Sequence, residues 1–116
     1  MEFSGVHHVS LNVRNVDEAR AFYVETLGLE VLPRPDLGFE GLWLRIGAQE
    51  LHLMRSDDAP SRGQHFALHV SDLDVALSEL ATKGIEPRTF DVPDGGRQCF
   101  FRDPSGNLIE LNQPKG

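Results

Sequence analysis

His8-Val9-Ser10-Leu11-Asn12-Val13 and His65-Phe66-Ala67-Leu68-His69-Val70 are the two stretches whose comparison decides the fold. They superimpose at an offset of 57 residues, and the correspondence continues beyond them. Asn15-Val16-Asp17 falls on Asp72-Leu73-Asp74, Ala19 on Ala76, and Gly28 within one residue of Gly84. At an offset of 58, Leu51-His52-Leu53 falls on Ile109-Glu110-Leu111. A repeat constrains the whole fold, because every local assignment in one half must also suit the other. Identities are few, so shared pattern carries the inference.

Each half opens on an alternating run. Val9, Leu11 and Val13, or Phe66, Leu68 and Val70, point one way and the intervening residues the other, as in a strand. A helical pattern follows, with Val16, Ala19, Tyr23 and Leu27 on one face in the first half and Leu73, Ala76, Leu77 and Leu80 in the second. Asn15 with Glu18 resembles a capping box, and Gly28 and Gly84 supply left-handed residues that end the helices. The period then returns to two. Strands are expected near 29–33, 39–46 and 49–55, and again near 85–90, 97–102 and 107–112. Asp103-Pro104-Ser105-Gly106 suits a type I turn, and Pro93-Asp94-Gly95-Gly96 within 91–98 predicts a mobile loop. The fold class is therefore α+β, one domain over 1–116 made of two βαβββ modules over about 5–56 and 63–113, joined by the stretch from Ser56 to Gly63.

Composition limits the function. The net charge of −7 comes from 11 basic and 18 acidic side chains, which disfavours a nucleic-acid or anionic membrane partner. No apolar run is long enough to cross a bilayer, and the N-terminus lacks a basic-then-apolar leader pattern, so a cytoplasmic location is expected. With one cysteine, Cys99, neither an internal disulfide nor a zinc–thiolate cluster can form. Cys99 is read as an inert buried thiol.

Alternation also assigns the chemistry to a face. If Val9, Leu11 and Val13 pack under the helix, then His8, Ser10 and Asn12 face away from it, as do His65, Ala67 and His69. On the last strand of each half, Glu50, His52 and Met54 oppose Leu51 and Leu53, while Leu108, Glu110 and Asn112 oppose Ile109 and Leu111. A sheet covered by helices on one side leaves its other face free to curl around a ligand. His8, His52, His65 and Glu110 then present three imidazoles and a carboxylate at repeat-related places, a donor set suited to Zn, Ni, Fe, Mn or Co. His7 is read as structural. His69, about 13 Å along the strand from His65, is too far to share its metal. Trp43, Phe100 and Phe101 are either stacking surfaces for substrate or core, and Arg45 and Arg102 either clamp an anion or form surface ion pairs.

The order His8-Val9-x-Leu11-x-Val13, Phe22-Tyr23, Leu27-Gly28-Leu29, Leu51-His52-Leu53, His65 and Asp103-Pro104-Ser105-Gly106-Asn107-Leu108-Ile109-Glu110-Leu111 resembles the vicinal oxygen chelate superfamily. That group includes glyoxalase I, bleomycin-resistance proteins, fosfomycin-resistance transferases, methylmalonyl-CoA epimerase and extradiol dioxygenases. The resemblance covers almost the whole chain. It implies a U-shaped mixed sheet around a divalent metal, with His8, His52, His65 and Glu110 as ligands, a small-molecule substrate and a homodimer.

Superfamily chemistry lets a metal hold two adjacent oxygens while a neighbouring proton leaves. A metal-dependent lyase or isomerase acting on a small carbonyl or oxyanion metabolite is the leading expectation, with Glu110 and His52 as catalytic residues. His52 stands where glyoxalase I has Glu and the epimerase Gln, and is a ligand, a group behind a ligand, or a base. A non-haem iron dioxygenase, a fosfomycin-type transferase with a thiol cosubstrate, and a non-catalytic bleomycin-type binding protein are the alternatives.

Overall fold

The computed structural model describes all 116 residues, Met1–Gly116, and divides them into two compact units, Met1–Pro60 and Ser61–Gly116. In the first unit, β1 (His8–Val13) leads into α1 (Val16–Arg20), followed by β2 (Glu30–Leu32), β3 (Gly41–Ile46) and β4 (Gln49–Arg55). The second unit repeats the order as β5 (His65–His69), α2 (Leu73–Thr82), β6 (Arg88–Asp91), β7 (Arg97–Arg102) and β8 (Leu108–Gln113). Each sheet has four strands, ordered β1-β4-β3-β2 and β5-β8-β7-β6. The first strand of each unit runs parallel to the last, and the other pairs are antiparallel. The expected α+β class and βαβββ order are both present.

The helix starts follow from two equivalent side chains. The N–H of Glu18 donates to Asn15 Oδ1 at 2.8 Å, and that of Val75 to Asp72 Oδ1 at 3.2 Å. Each cap satisfies a donor the helix cannot, a contribution of about 1 kcal/mol. The reciprocal half of the capping box is replaced, because the Glu18 carboxylate pairs with Arg14 at 3.0 Å. Only one turn of α1 is α-helical. Ala21–Thr26 widens into a π-helix, with Leu27 N–H reaching the Phe22 carbonyl at 3.0 Å and Leu29 N–H reaching Tyr23 at 3.0 Å around Gly28, whose φ is +78°. Gly84 ends α2 in the same left-handed region, at φ +79°.

The helix-side face of each sheet carries the core. Val13, Leu42, Leu44, Leu51 and Leu53 are buried with Ala19 and Tyr23, and Cys99, Phe101, Ile109 and Leu111 with Leu73 and Leu80. Truncating such a leucine to Ala costs about 2–5 kcal/mol. The segment expected to be mobile is instead a tied hairpin. β6 and β7 extend into it, Val92 N–H bonds Gly96 O at 2.8 Å, and Gly96 N–H bonds Asp94 Oδ1 at 2.8 Å. Backbone pairing thus claims residues whose composition alone suggests an open loop. The turn after β7 is held by buried Asp103, which accepts from the N–H groups of Ser105 and Asn107 and from the Asn107 amide. No helix is long and apolar enough to cross a membrane.

Candidate metal and substrate site

Strand register sets the site side chains beside one another. On the face of the first sheet away from α1, His8 pairs with Glu50, Ser10 with His52, and His52 with Trp43. His52 is 7% exposed because flat rings cover both its faces. The Trp43 ring lies 4.2 Å from it at an interplanar angle of 7°, and the His8 ring 3.9 Å away at 15°. Its Nε2 meets Glu50 Oε1 at 2.9 Å. An ionised carboxylate only accepts there, so Nε2 is the donor, and the neutral tautomer that makes this bond has its lone pair on Nδ1. The hydrogen bond to His52 is the main reason the Glu50 carboxyl is held below the usual carboxylate range.

His7, read as structural, lies against this group. Its Nδ1 lies 2.9 Å from His8 Nδ1, and its ring stands edge-on to His52 at 6.4 Å. Residue 7 precedes β1, so strand alternation does not dictate its direction. Partial desolvation, then the charges of His52 and His7, lower the His8 pKa from its ordinary value and favour the neutral ring.

The second sheet brings His65 and Glu110 together. His65 Nε2 lies 3.0 Å from Glu110 Oε1, and His65 Nδ1 lies 3.1 Å from the Gly63 carbonyl oxygen. Both neighbours of this imidazole are acceptors, yet a neutral ring has one N–H. With the proton on Nε2 the ring donates to Glu110; with it on Nδ1 the ring donates to Gly63 and leaves the Nε2 lone pair beside the carboxylate, two adjacent donor atoms of the kind one cation can share. The other Glu110 oxygen accepts from Asn112 Nδ2 at 2.8 Å, which fixes the carboxylate. Phe100, the cross-strand partner of Glu110, stands edge-on to His65 at 5.2 Å.

The four sequence-expected ligands therefore occur as two adjacent pairs, His8 with His52 and His65 with Glu110. Within neither unit do three His, Cys, Asp or Glu side chains gather around one point. The donor types nevertheless fit a divalent cation. His65 Nε2 and Glu110 Oε1 lie side by side, and each of the four residues offers an imidazole or a carboxylate of the kind borderline metals take.

Glu50 and Asn112 were not anticipated as site residues. Each sits two positions from a site residue on the same strand, so the alternation that selected His52 and Glu110 also selects them. Other expectations divide. Trp43 and Phe100 lie on the donor face, while Phe101 is buried on the helix side. Arg45 forms an exposed ion pair with Glu30 at 3.3 Å, and Arg102 donates to the carbonyls of Gly106 and Arg62. His69 is exposed at the far end of β5, opposite Asn112. Cys99 is buried, and burial raises its thiol pKa.

A family model described as the Glyoxalase/Bleomycin resistance protein/Dioxygenase superfamily matches residues 5–111. The chain belongs to that superfamily. Its members generally use divalent metals. Glyoxylase I 4 of Arabidopsis thaliana is 30% identical over 96% of this chain and 71% of its own length. A glyoxalase family protein from Bacillus anthracis shares the fold with a TM-score of 0.91 and 33% identity, over 99% of this chain and 98% of its own. TnmS3, an antibiotic binding protein from Streptomyces sp. CB03234, aligns with a TM-score of 0.81 and 30% identity, over 99% of both chains. Both catalysts and a binding protein thus occur among the relatives of this superfamily domain.

Proposed function

We propose that the protein is a metal-dependent enzyme of this superfamily, a glyoxalase-like lyase or isomerase of a small carbonyl or oxyanion metabolite. His8, His52, His65 and Glu110 form the donor set, and the working unit is a cytoplasmic homodimer. The observation that carries the reading is the placement of His65 Nε2 and Glu110 Oε1 side by side at 3.0 Å, with the other imidazole nitrogen next to a backbone carbonyl. A bound divalent cation would supply Lewis-acid stabilisation of the negative charge that develops on two adjacent substrate oxygens.

The side chains do the rest. Glu110, oriented by Asn112, takes the proton from the carbon beside the substrate carbonyl and returns it to the neighbouring carbon in an isomerisation. His52, with Glu50 on Nε2, offers Nδ1 either as a ligand or as a second proton acceptor. Trp43 and Phe100 give the substrate apolar surfaces beside these groups.

The second reading is a binding protein without catalysis. The Trp43–His52–His8 stack favours it as a platform for a planar drug, and the antibiotic-binding relative adds support. Wild type, Glu110→Gln and His52→Glu, each loaded with Zn, Ni, Mn or Fe(II), separate the two against oxoaldehyde–thiol, acyl-thioester, phosphonate–thiol and catechol substrates. An enzyme loses about 100-fold or more of its turnover in Glu110→Gln while retaining some metal. A protein that turns over nothing with any metal, yet binds a bulky planar drug tightly without one, is a binder.

A further inference from the structure

A groove of about 550 Å³ runs along the outer edge of the second module, lined in part by Arg88, Phe90, Phe100, Arg102, Leu108 and Glu86. Register places Arg88, Phe90, Phe100, Arg102 and Leu108 of its lining on the donor face, and Gly84, Ile85 and Phe101 complete the wall. Glu110 pairs with Phe100, and Phe100 pairs with Arg88 on β6. Two strand spacings, about 9–10 Å, therefore separate the backbones of Glu110 and Arg88, with the Phe100 ring between them.

The lining is cationic and apolar in a chain whose net charge is −7. Two arginines face one glutamate, and neither arginine has a carboxylate within ion-pair distance. Arg102 spends its guanidinium on two backbone carbonyls. Arg88 instead rests over the Phe90 ring, 5.5 Å from its centroid, and Phe90 is 45% exposed and edge-on to Phe100 at 5.9 Å. An uncompensated guanidinium held beside two aromatic rings suits an anion carried on an apolar body. The first module lacks the feature, since Leu32 pairs with Trp43 where Arg88 pairs with Phe100.

We propose that this groove is a carboxylate subsite, in which Arg88 binds the acid group of a ligand whose apolar body lies across Phe90 and Phe100. For the activity proposed above, the substrate class becomes a carbonyl compound bearing a carboxylate at the far end of an apolar chain or ring. That extension rests on the enzyme reading, whereas binding of the acid does not.

The test is an NMR titration of the metal-free full chain, in chelator, with 4-phenylbutyrate, its neutral amide 4-phenylbutyramide, and butyrate. The acid is expected to bind at least about 5-fold more tightly than either comparison ligand and to shift the backbone amides of Arg88, Phe90 and Phe100. In Arg88→Leu, an exposed substitution, the acid should fall to the affinity of the amide while the amide is unaffected. Failure of the metal reading would appear as absent metal uptake and leave these titrations unchanged. Equal binding of acid and amide by wild type, shifts confined to other residues, or wild-type affinity in Arg88→Leu would each overturn the subsite.

Discussion

Replacing Glu50 by Ala is expected to weaken zinc binding by about 10-fold. Carboxylates behind metal-bound imidazoles do two things: they fix ring orientation, and they fix which nitrogen carries the proton. Here the first task is already done by packing. The ring of His52 lies between Trp43 at 4.2 Å and His8 at 3.9 Å, so it stays in place when Glu50 is cut back. What disappears is the acceptor 2.9 Å from Nε2, and with it the preference for a lone pair on Nδ1. The loss should therefore lie at the lower end of the 10- to 100-fold span typical of such partners. Glu50→Gln, which keeps an acceptor oxygen without its charge, should fall between Ala and wild type. The chain has one tryptophan, and it is the ring stacked on His52, so Trp43 fluorescence reports the site directly. Competition against a chromophoric chelator gives the affinity, and ¹⁵N shifts of the imidazole give the tautomer. Wild-type zinc affinity in Glu50→Ala, with the His52 proton still on Nε2, would refute the reasoning.

Two further perturbations probe the scaffold around the site. Folding lowers the His8 pKa, so the folded state binds fewer protons than the unfolded chain once the pH drops below the ordinary value of 6.5; stability is whole above that window and declines as pH falls through it. Urea unfolding at pH 7.5 and 5.5 should show a smaller acid loss for His8→Asn than for wild type, and identical losses would contradict the assignment. Gly41→Ala should destabilise the chain by about 2–3 kcal/mol, because the added Cβ would lie 2.5 Å from the Leu53 carbonyl oxygen, which cannot move without shifting β4. An unchanged urea midpoint would show that β3 and β4 can separate there at little cost.

Much of the fold was readable from residue order, for a covalent reason. Side chains alternate along any strand, so the leucines flanking His52 and the apolar pair flanking Glu110 already assigned both residues to the face opposite the helix, and the repeat confirmed that face twice. Helix starts were readable because a cap is a contact between near neighbours, as Asn15 and Asp72 make it. The widening of α1 was not, since α and π turns share the same apolar spacing over so short a run. Nor was the hairpin between β6 and β7, whose glycines suit an open loop equally well until cross-strand bonds close it.

The sequence by itself determined which residues face the donor side and what chemistry they bring: imidazoles at 8, 52 and 65 and a carboxylate at 110. Only the tertiary structure decided how those groups are held. Glu50 engages Nε2 of His52, Trp43 and His8 cover its ring, and a backbone carbonyl at Gly63 faces the nitrogen of His65 that Glu110 does not. Alternation is a property of one strand's backbone. Which nitrogen meets which oxygen depends on strand register and on the rotamers that neighbouring rings allow, and those follow from packing across strands.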